Sequence, residues 1–472
     1  MISSRHYRLQ DPNPLNPFEK CELGREKYAK ILTSIIENYA DGFVLALNNK
    51  WGEGKTEFIR MWKVYLEMEE RKFQTIYFNA WEHDFNREPL TALLSELKEL
   101  KIGKDKNFKS MVKYGARFSK ALVPTVLSAF LEKYIDSKTI KEAFHELSEE
   151  AAQVFEEEVN GYVNKKRGLE EFKKELETYV SGLEKPLVFF IDELDRCNPK
   201  YAVEFLEIIK HFFSVPGIVF VLSIDKGNLI NSIIGYFGSQ DLDGNEYLKR
   251  FIDLEYSLPA PILDDYIHFM FQKTGIREFL GNDNRILNQK LSDENNLIYE
   301  LAYSFFNNFN WNLRQIEKIL NHTSLVLKTF PIRSKIFPEI IFTLLVIKFS
   351  DSNLYNKIKH KKLGPQEFLD ALSQYLSLGE GYQENIDLQH LEVSMLYIYC
   401  KKEGSQRING VWELGPNDYT LNISSKLVDD LGYFLTDFEA RLNKIQKNDE
   451  YLNLDLFYFI SRIELFNNLR SR

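Results

Sequence analysis

The alternation of apolar and polar positions predicts two regimes along the chain. Up to about residue 260, short apolar runs alternate with helical patterns; the runs are Phe43–Leu47, Thr75–Phe78, Leu187–Ile191 and Ile218–Ser223. Leu187–Ile191 is apolar at every position rather than every second one, as expected of a central parallel strand buried on both faces. A helical pattern over Arg25–Tyr39 precedes the first run, and further helical patterns separate the others, so an α/β domain with a parallel sheet is predicted. From Asn79 to Glu184 only helical periodicity is found, which marks an insertion between two sheet strands. After Pro261 strand signals mostly stop; residues 262 to about 400 read as helices, Gly404–Pro416 as a loop or a short hairpin around Val411–Leu414, and the C-terminal stretch as helical again. The predicted organisation is an α/β core over 1–260 with a helical insertion at about 90–184, a helical lid over 261–335, and a helical C-terminal region over 336–472 with partner binding as its default role.

The first strand runs into Asn49-Lys50-Trp51-Gly52-Glu53-Gly54-Lys55-Thr56, and a helical pattern opens at Glu57. Strand, glycine-containing loop and helix form a cradle for nucleotide phosphates, because backbone N–H groups and the positive end of the helix dipole converge there. Lys55 is placed to reach the β- and γ-phosphates, and the Thr56 hydroxyl to ligate Mg²⁺. The strict pattern has glycine where this chain has Asn49; asparagine is expected to substitute because it readily takes a left-handed backbone conformation. The apolar run Leu187–Ile191 ends in Asp192-Glu193. A carboxylate at such a strand tip can hold Mg²⁺, and Glu193 can orient or deprotonate the attacking water. The run Ile218–Leu222 ends in Ser223-Ile224-Asp225. In additional-strand ATPases this neighbouring strand carries a polar residue that senses the γ-phosphate; Ser223 is preferred, and each candidate can instead be a turn or helix-cap residue.

These motifs resemble those of the KAP family of P-loop NTPases. Lys50–Thr56 is similar to the family's W-G-x-G-K-[ST], Phe78-Asn79-Ala80-Trp81 to its F-N-A-W strand, and Ile191–Cys197 to its hhD[DE]LDRC acidic signature. Tyr247–Ile252 followed by Leu258-Pro259 resembles its Y-L-x-K-h-h … L-P segment, and Leu23-Gly24-Arg25-Glu26 is similar to an L-G-R-E segment that lies beside the adenine in related ATPases. The resemblance implies ATP and Mg²⁺ as ligands, with Leu23, Gly24, Asn49, Trp51, Gly52, Glu53, Gly54, Lys55, Thr56 and Glu57 holding nucleotide and Thr56 and Asp192 the metal. It implies an arginine finger at Arg250, for which Lys249 or a plain surface arginine is the alternative, and a γ-phosphate contact from Arg314, which could also be a salt bridge on the lid helix. Asp195 and Arg196 are expected to fix the loop after the acidic strand, Cys197 to be a packed thiol, and Trp51 to pack beneath the phosphates, with stacking near the nucleotide as the alternative. Many family members carry transmembrane helices within the ATPase domain, where this chain has a charged insertion.

Composition narrows the field further. The 472 residues are too many for one ordinary core, and a net charge of −9 disfavours generic nucleic-acid binding. The insertion begins basic, with Lys98, Lys101, Lys104, Lys106, Lys109, Lys113, Arg117 and Lys120, and turns acidic through Glu146–Glu158; a self-paired or solvated helical hairpin is the plainer reading, a partner-facing arm the other. Cys21, Cys197 and Cys400 are far apart and read as reduced thiols, and no signal peptide is visible, so a cytoplasmic location is expected. The apolar stretches Ala121–Leu131 and Ile340–Ile347 fall short of the roughly 18 residues a span needs and read as buried helices. His83, His145, His211 and His322 are isolated from metal-like partners, so an effector activity would come from a second protein. The expectation is an oligomeric Mg²⁺-dependent ATPase switch, which the resemblance points toward bacterial anti-phage defence or stress signalling. The alternatives are an ATP-gated scaffold with little turnover and a nucleic-acid-stimulated motor.

Overall fold

The computed structural model describes residues 11–85 and 170–286 with a few positions omitted, scattered residues at 89–96, then 294–376, 388–401 and shorter stretches between 411 and 464. The basic and acidic runs of the insertion and Ala121–Leu131 lie outside the described residues. The chain divides into two compact units, Met1–Ala260 and Pro261–Arg472.

The first unit is built on five parallel strands: β1 Phe43–Asn48, β2 Gln74–Asn79, β3 Leu187–Asp192, β4 Ile218–Ile224 and β5 Leu254–Tyr256, in the order β2-β3-β4-β1-β5. The four predicted strands are present, each slightly longer than its apolar run. The three-residue edge strand β5 is only partly buried, so no apolar run announces it. Every residue of β3 and β4 is buried. Odd and even positions serve opposite faces, as the two-residue strand period demands. Leu45, Leu47, Val188, Phe190, Val219 and Val221 pack against helices α1 Glu26–Asn38 and α2 Lys55–Glu67. Val44, Ala46, Phe189, Ile191, Phe220 and Leu222 pack against α4 Pro199–Phe212 and α5 Lys226–Phe237; the short α3 Ala80–His83 follows β2 directly. Register brings Asn79 opposite Asp192, Asp192 opposite Ser223, and Ser223 opposite Leu47. Polar residues from three strands therefore end in one row beside the loop that leaves β1.

The second unit is mainly helical, including α7 Leu263–Lys273, α8 Glu294–Asn308, α9 Leu313–Leu327, α10 Pro338–Ser350 and α11 Leu388–Cys400, with α6 Gly244–Leu248 preceding it in the first unit. Helix α10 is buried at every position from Pro338 to Ile347, so Ile340–Ile347 is the buried helix expected. The predicted hairpin is present as antiparallel strands Trp412–Leu414 and Tyr419–Leu421. Among the described residues no helix is long and apolar enough to cross a membrane.

Candidate nucleotide site

The loop after β1 turns on Gly52 and Gly54, both left-handed with φ of +86° and +78°. A side chain at either position would be strained, which is why glycine stands there. The loop delivers Lys55 and Thr56 into the first turn of α2. Lys55 is buried, and its Nζ donates to the carbonyls of Asn49 and Lys50. Burial holds the ammonium pKa below its ordinary value, opposed by the carboxylates of Asp195, Asp225, Asp192 and Glu53. Thr56 is half-buried and Glu57 exposed.

Asn49 does not adopt the left-handed conformation expected of it, since its φ is not positive. Its side chain supplies the reason for its presence. Nδ2 donates to the Leu258 carbonyl at 2.8 Å and to Glu53 Oε2 at 2.9 Å, while Oδ1 accepts from the Leu258 N–H at 2.9 Å. Glycine could make none of these bonds. Asn49 thus fastens the loop to the Leu258-Pro259 segment.

Arg25 was not among the predicted site residues. It is almost fully buried, and its guanidinium donates to the carbonyls of Glu53 at 2.7 Å and Gly54 at 3.0 Å. It follows half-buried Leu23 and exposed Gly24, whose φ of +60° makes the turn that introduces α1. The available signal was the basic residue in the L-G-R-E segment.

Asp192 is buried at the tip of β3, accepting from Tyr77 Oη at 3.1 Å and from the Glu193 N–H at 3.0 Å. Burial, then the Asp192 charge, raises the Tyr77 pKa, so the phenol stays a donor. Glu193 has φ of +61°, an uncommon conformation for a non-glycine residue. Its Oε1 pairs with Arg196 Nη1 at 2.8 Å and its Oε2 accepts from Asn79 Nδ2 at 3.3 Å. Burial raises the Glu193 pKa while Arg196 lowers it. Asp195 accepts from the indole N–H of Trp51. Trp51 is therefore not packed beneath the loop; it is 43% exposed and tied to the acidic turn. Cys197 is a buried thiol whose Sγ–H donates to the Glu193 carbonyl at 3.6 Å, and burial pushes its pKa far up, as a packed thiol requires.

On β4, Ser223 is fully buried, and among the described residues its hydroxyl has no hydrogen-bond partner. Asp225 caps α5, accepting from the Asn228 N–H at 3.3 Å. The two candidates are thus separated, one at the row of strand tips and one occupied as a cap. Arg250 is exposed after α6, with its guanidinium 5.8 Å from the Tyr247 ring centroid, and Lys249 is ion-paired with Glu246. Arg314 is the second residue of α9, exposed behind a capping box of Asn312 and Gln315. It belongs to the second unit.

Donor chemistry at the strand tips fits a hydrated divalent cation: a buried carboxylate from Asp192 and a hydroxyl from Thr56, both oxygen ligands. A glycine loop between parallel strand and helix, a buried lysine beneath it and an acidic pair on a nearby strand tip define a P-loop nucleotide-binding domain. The KAP family P-loop domain matches residues 25–330, and the chain belongs to that family. No curated protein matches the sequence. Among solved structures the chain is similar to the ORC2 protein of Aeropyrum pernix in ADPNP and ADP complexes, at 13% identity and a TM-score of 0.35, covering 90% of this chain and 95% of that one. It is similar to the ORC1 protein of Aeropyrum pernix in complex with DNA, at 13% identity and a TM-score of 0.33, over 93% and 97% of the two chains. It is also similar to RuvB of Thermotoga maritima, at 12% identity and a TM-score of 0.26, over 91% and 100%. Overlaps this loose carry no argument about what this chain does.

Proposed function

We propose that the chain binds ATP with Mg²⁺ at Asn49–Glu57 and hydrolyses it, and that turnover switches a homo-oligomer which controls a second, effector protein. One observation carries the catalytic part: strand register brings Asn79, Asp192 and Ser223 into one row beside the Lys55 loop. In this reading Lys55 binds the β- and γ-phosphates and Thr56 and Asp192 hold the metal. Bound Mg²⁺ would neutralise charge developing on the phosphates. Glu193 orients the attacking water and accepts its proton, and the Ser223 hydroxyl, without a partner among the described residues, donates to a γ-phosphate oxygen. Arg250 would reach a neighbouring copy's site and Arg314 would contact the γ-phosphate from the second unit, whose first part, 261–335, would act as a lid. Leu23 and Gly24 would flank the adenine. The biological setting we infer is bacterial defence against phage or stress signalling, in the cytoplasm, on the strength of the family resemblance.

Phosphate release measured with Mg²⁺ and with EDTA tests this reading. Glu193→Gln is expected to lower kcat about 100-fold or more while keeping ATP affinity, as removal of a general base does. If that variant hydrolyses at the parental rate, the assigned base is wrong. A second reading, an ATP-gated scaffold with slow turnover, is favoured by the engagement of both Glu193 carboxylate oxygens; tight ATP binding without Mg²⁺-dependent phosphate release would establish it. The basic stretch Lys98–Lys120 lies outside the described residues, and the nucleic-acid motor has no support from the geometry of the site.

A further inference from the structure

The roles above make no use of the contact among Trp51, Trp81 and Arg196, although the three belong to three separate motifs and meet in space. Arg196 lies in the single 3₁₀ turn after β3. Its guanidinium is 5.5 Å from the Trp51 ring centroid and 5.7 Å from that of Trp81. Trp51 arrives from the phosphate loop after β1 and Trp81 from α3 after β2. Both indoles are 43% exposed, so neither is there to fill the core. Both distances lie within the roughly 6 Å over which a guanidinium is attracted to an aromatic face. A free arginine side chain has rotamer entropy to lose, and two flanking rings restrict it before any ligand arrives. The restrained guanidinium meets Glu193 Oε1 at 2.8 Å. Trp51 is fixed in turn through its N–H to Asp195, next to Arg196 in sequence.

We propose that Arg196 is a positioning residue: bracketed by Trp51 and Trp81, it aims the Glu193 carboxylate at the attacking water, and Trp51 makes that aim depend on the conformation of the phosphate loop. The inference rests on the reading of Glu193 as the water-orienting carboxylate. A misaimed base costs rate rather than nucleotide binding, because Arg196 pairs with the Glu193 carboxylate and meets the phosphate loop only at the Trp51 ring among the contacts described.

The experiment compares the parent with Arg196→Ala, Arg196→Lys, Trp81→Ala, Arg196→Ala/Trp81→Ala and Glu193→Gln in the full chain. It measures ATP Kd by titration calorimetry, kcat and KM by phosphate release, and the urea midpoint. Arg196→Ala is expected to lower kcat about 10- to 100-fold with ATP Kd within about two-fold of the parent, the scale at which misplacement acts. Arg196→Lys, which keeps charge and stem but loses the planar fork, recovers part of the rate; it carries the test if the alanine variant fails to fold. Trp81→Ala lowers kcat less, and the double variant is no slower than Arg196→Ala alone, since both act through one contact. An unchanged kcat, a faster one, a loss confined to Kd or the urea midpoint, or additive single effects would each overturn the positioning role. Parental turnover by Glu193→Gln would instead overturn the reading beneath it, and the two failures are told apart by that single variant.

Discussion

At the residue scale, Asn49 shows how a departure from a motif can have its own cause. The missing glycine looks like a weakened phosphate loop, and the expected remedy was a left-handed asparagine. The structure has a side chain bonded both ways to the Leu258 backbone instead. Asn49→Gly is therefore expected to leave ATP affinity no better and to destabilise the first unit by about 1–3 kcal/mol, because the buried Leu258 N–H and C=O lose their partner; urea denaturation checks this through a lower midpoint. Arg25 makes the parallel case on the opposite side of the loop. Arg25→Ala should weaken ATP binding about ten-fold or more, since hydrogen bonds from a charged donor are worth roughly 1.5–3 kcal/mol and each 1.4 kcal/mol is ten-fold in affinity. Titration calorimetry would read that change directly. Ser223 and Asp225 separate by assay: Asp225→Ala loses a helix cap worth about 1 kcal/mol of stability, whereas Ser223→Ala lowers kcat and leaves the urea midpoint nearly unchanged.

At the scale of elements, strands and loop chemistry were legible because their signals are local. A strand buried on both faces must be apolar throughout, and the phosphate loop and acidic tip are contiguous in sequence. What stayed hidden are contacts between distant segments. Asn49 and Leu258 are 209 positions apart and Tyr77 and Asp192 115, and no local pattern distinguishes Tyr77 from any other aromatic strand residue. The edge strand β5 was hidden for a different reason, being three residues long and, among the described residues, paired with β1 alone. A second kind of hidden feature is the fully buried Glu392 of α11, whose carboxyl pKa burial lifts to about 7 while a 2.6 Å hydrogen bond from Ser425 draws it down. The unfolded chain ionises this carboxyl above about pH 4.3, the folded one only near 7, so its contribution to stability falls as pH rises through that window and is level above it. Glu392→Gln is expected to remove the decline, roughly 1.4 kcal/mol per pKa unit of difference, in denaturation series between pH 5 and 8.

At the scale of the whole molecule, the proposed switch predicts a nucleotide-dependent assembly. Mass photometry should show larger species with ATP than without, and Arg250→Ala should slow turnover of that assembly by about 10³-fold while each copy still binds ATP. A single mass with and without nucleotide would remove both the assembly and the finger. The family match covers only part of the second unit. It ends at residue 330, whereas the second compact unit runs from Pro261 onward through the rest of the chain. Helix α10 begins only at Pro338, yet Phe342 on it meets Phe305 and Phe306 of α8 at ring distances of 6.0 and 5.8 Å. The family match and the compact unit therefore have different edges. A chain cut at residue 330 would lose α10, and with it the Phe342 ring that lies against Phe305 and Phe306 of α8.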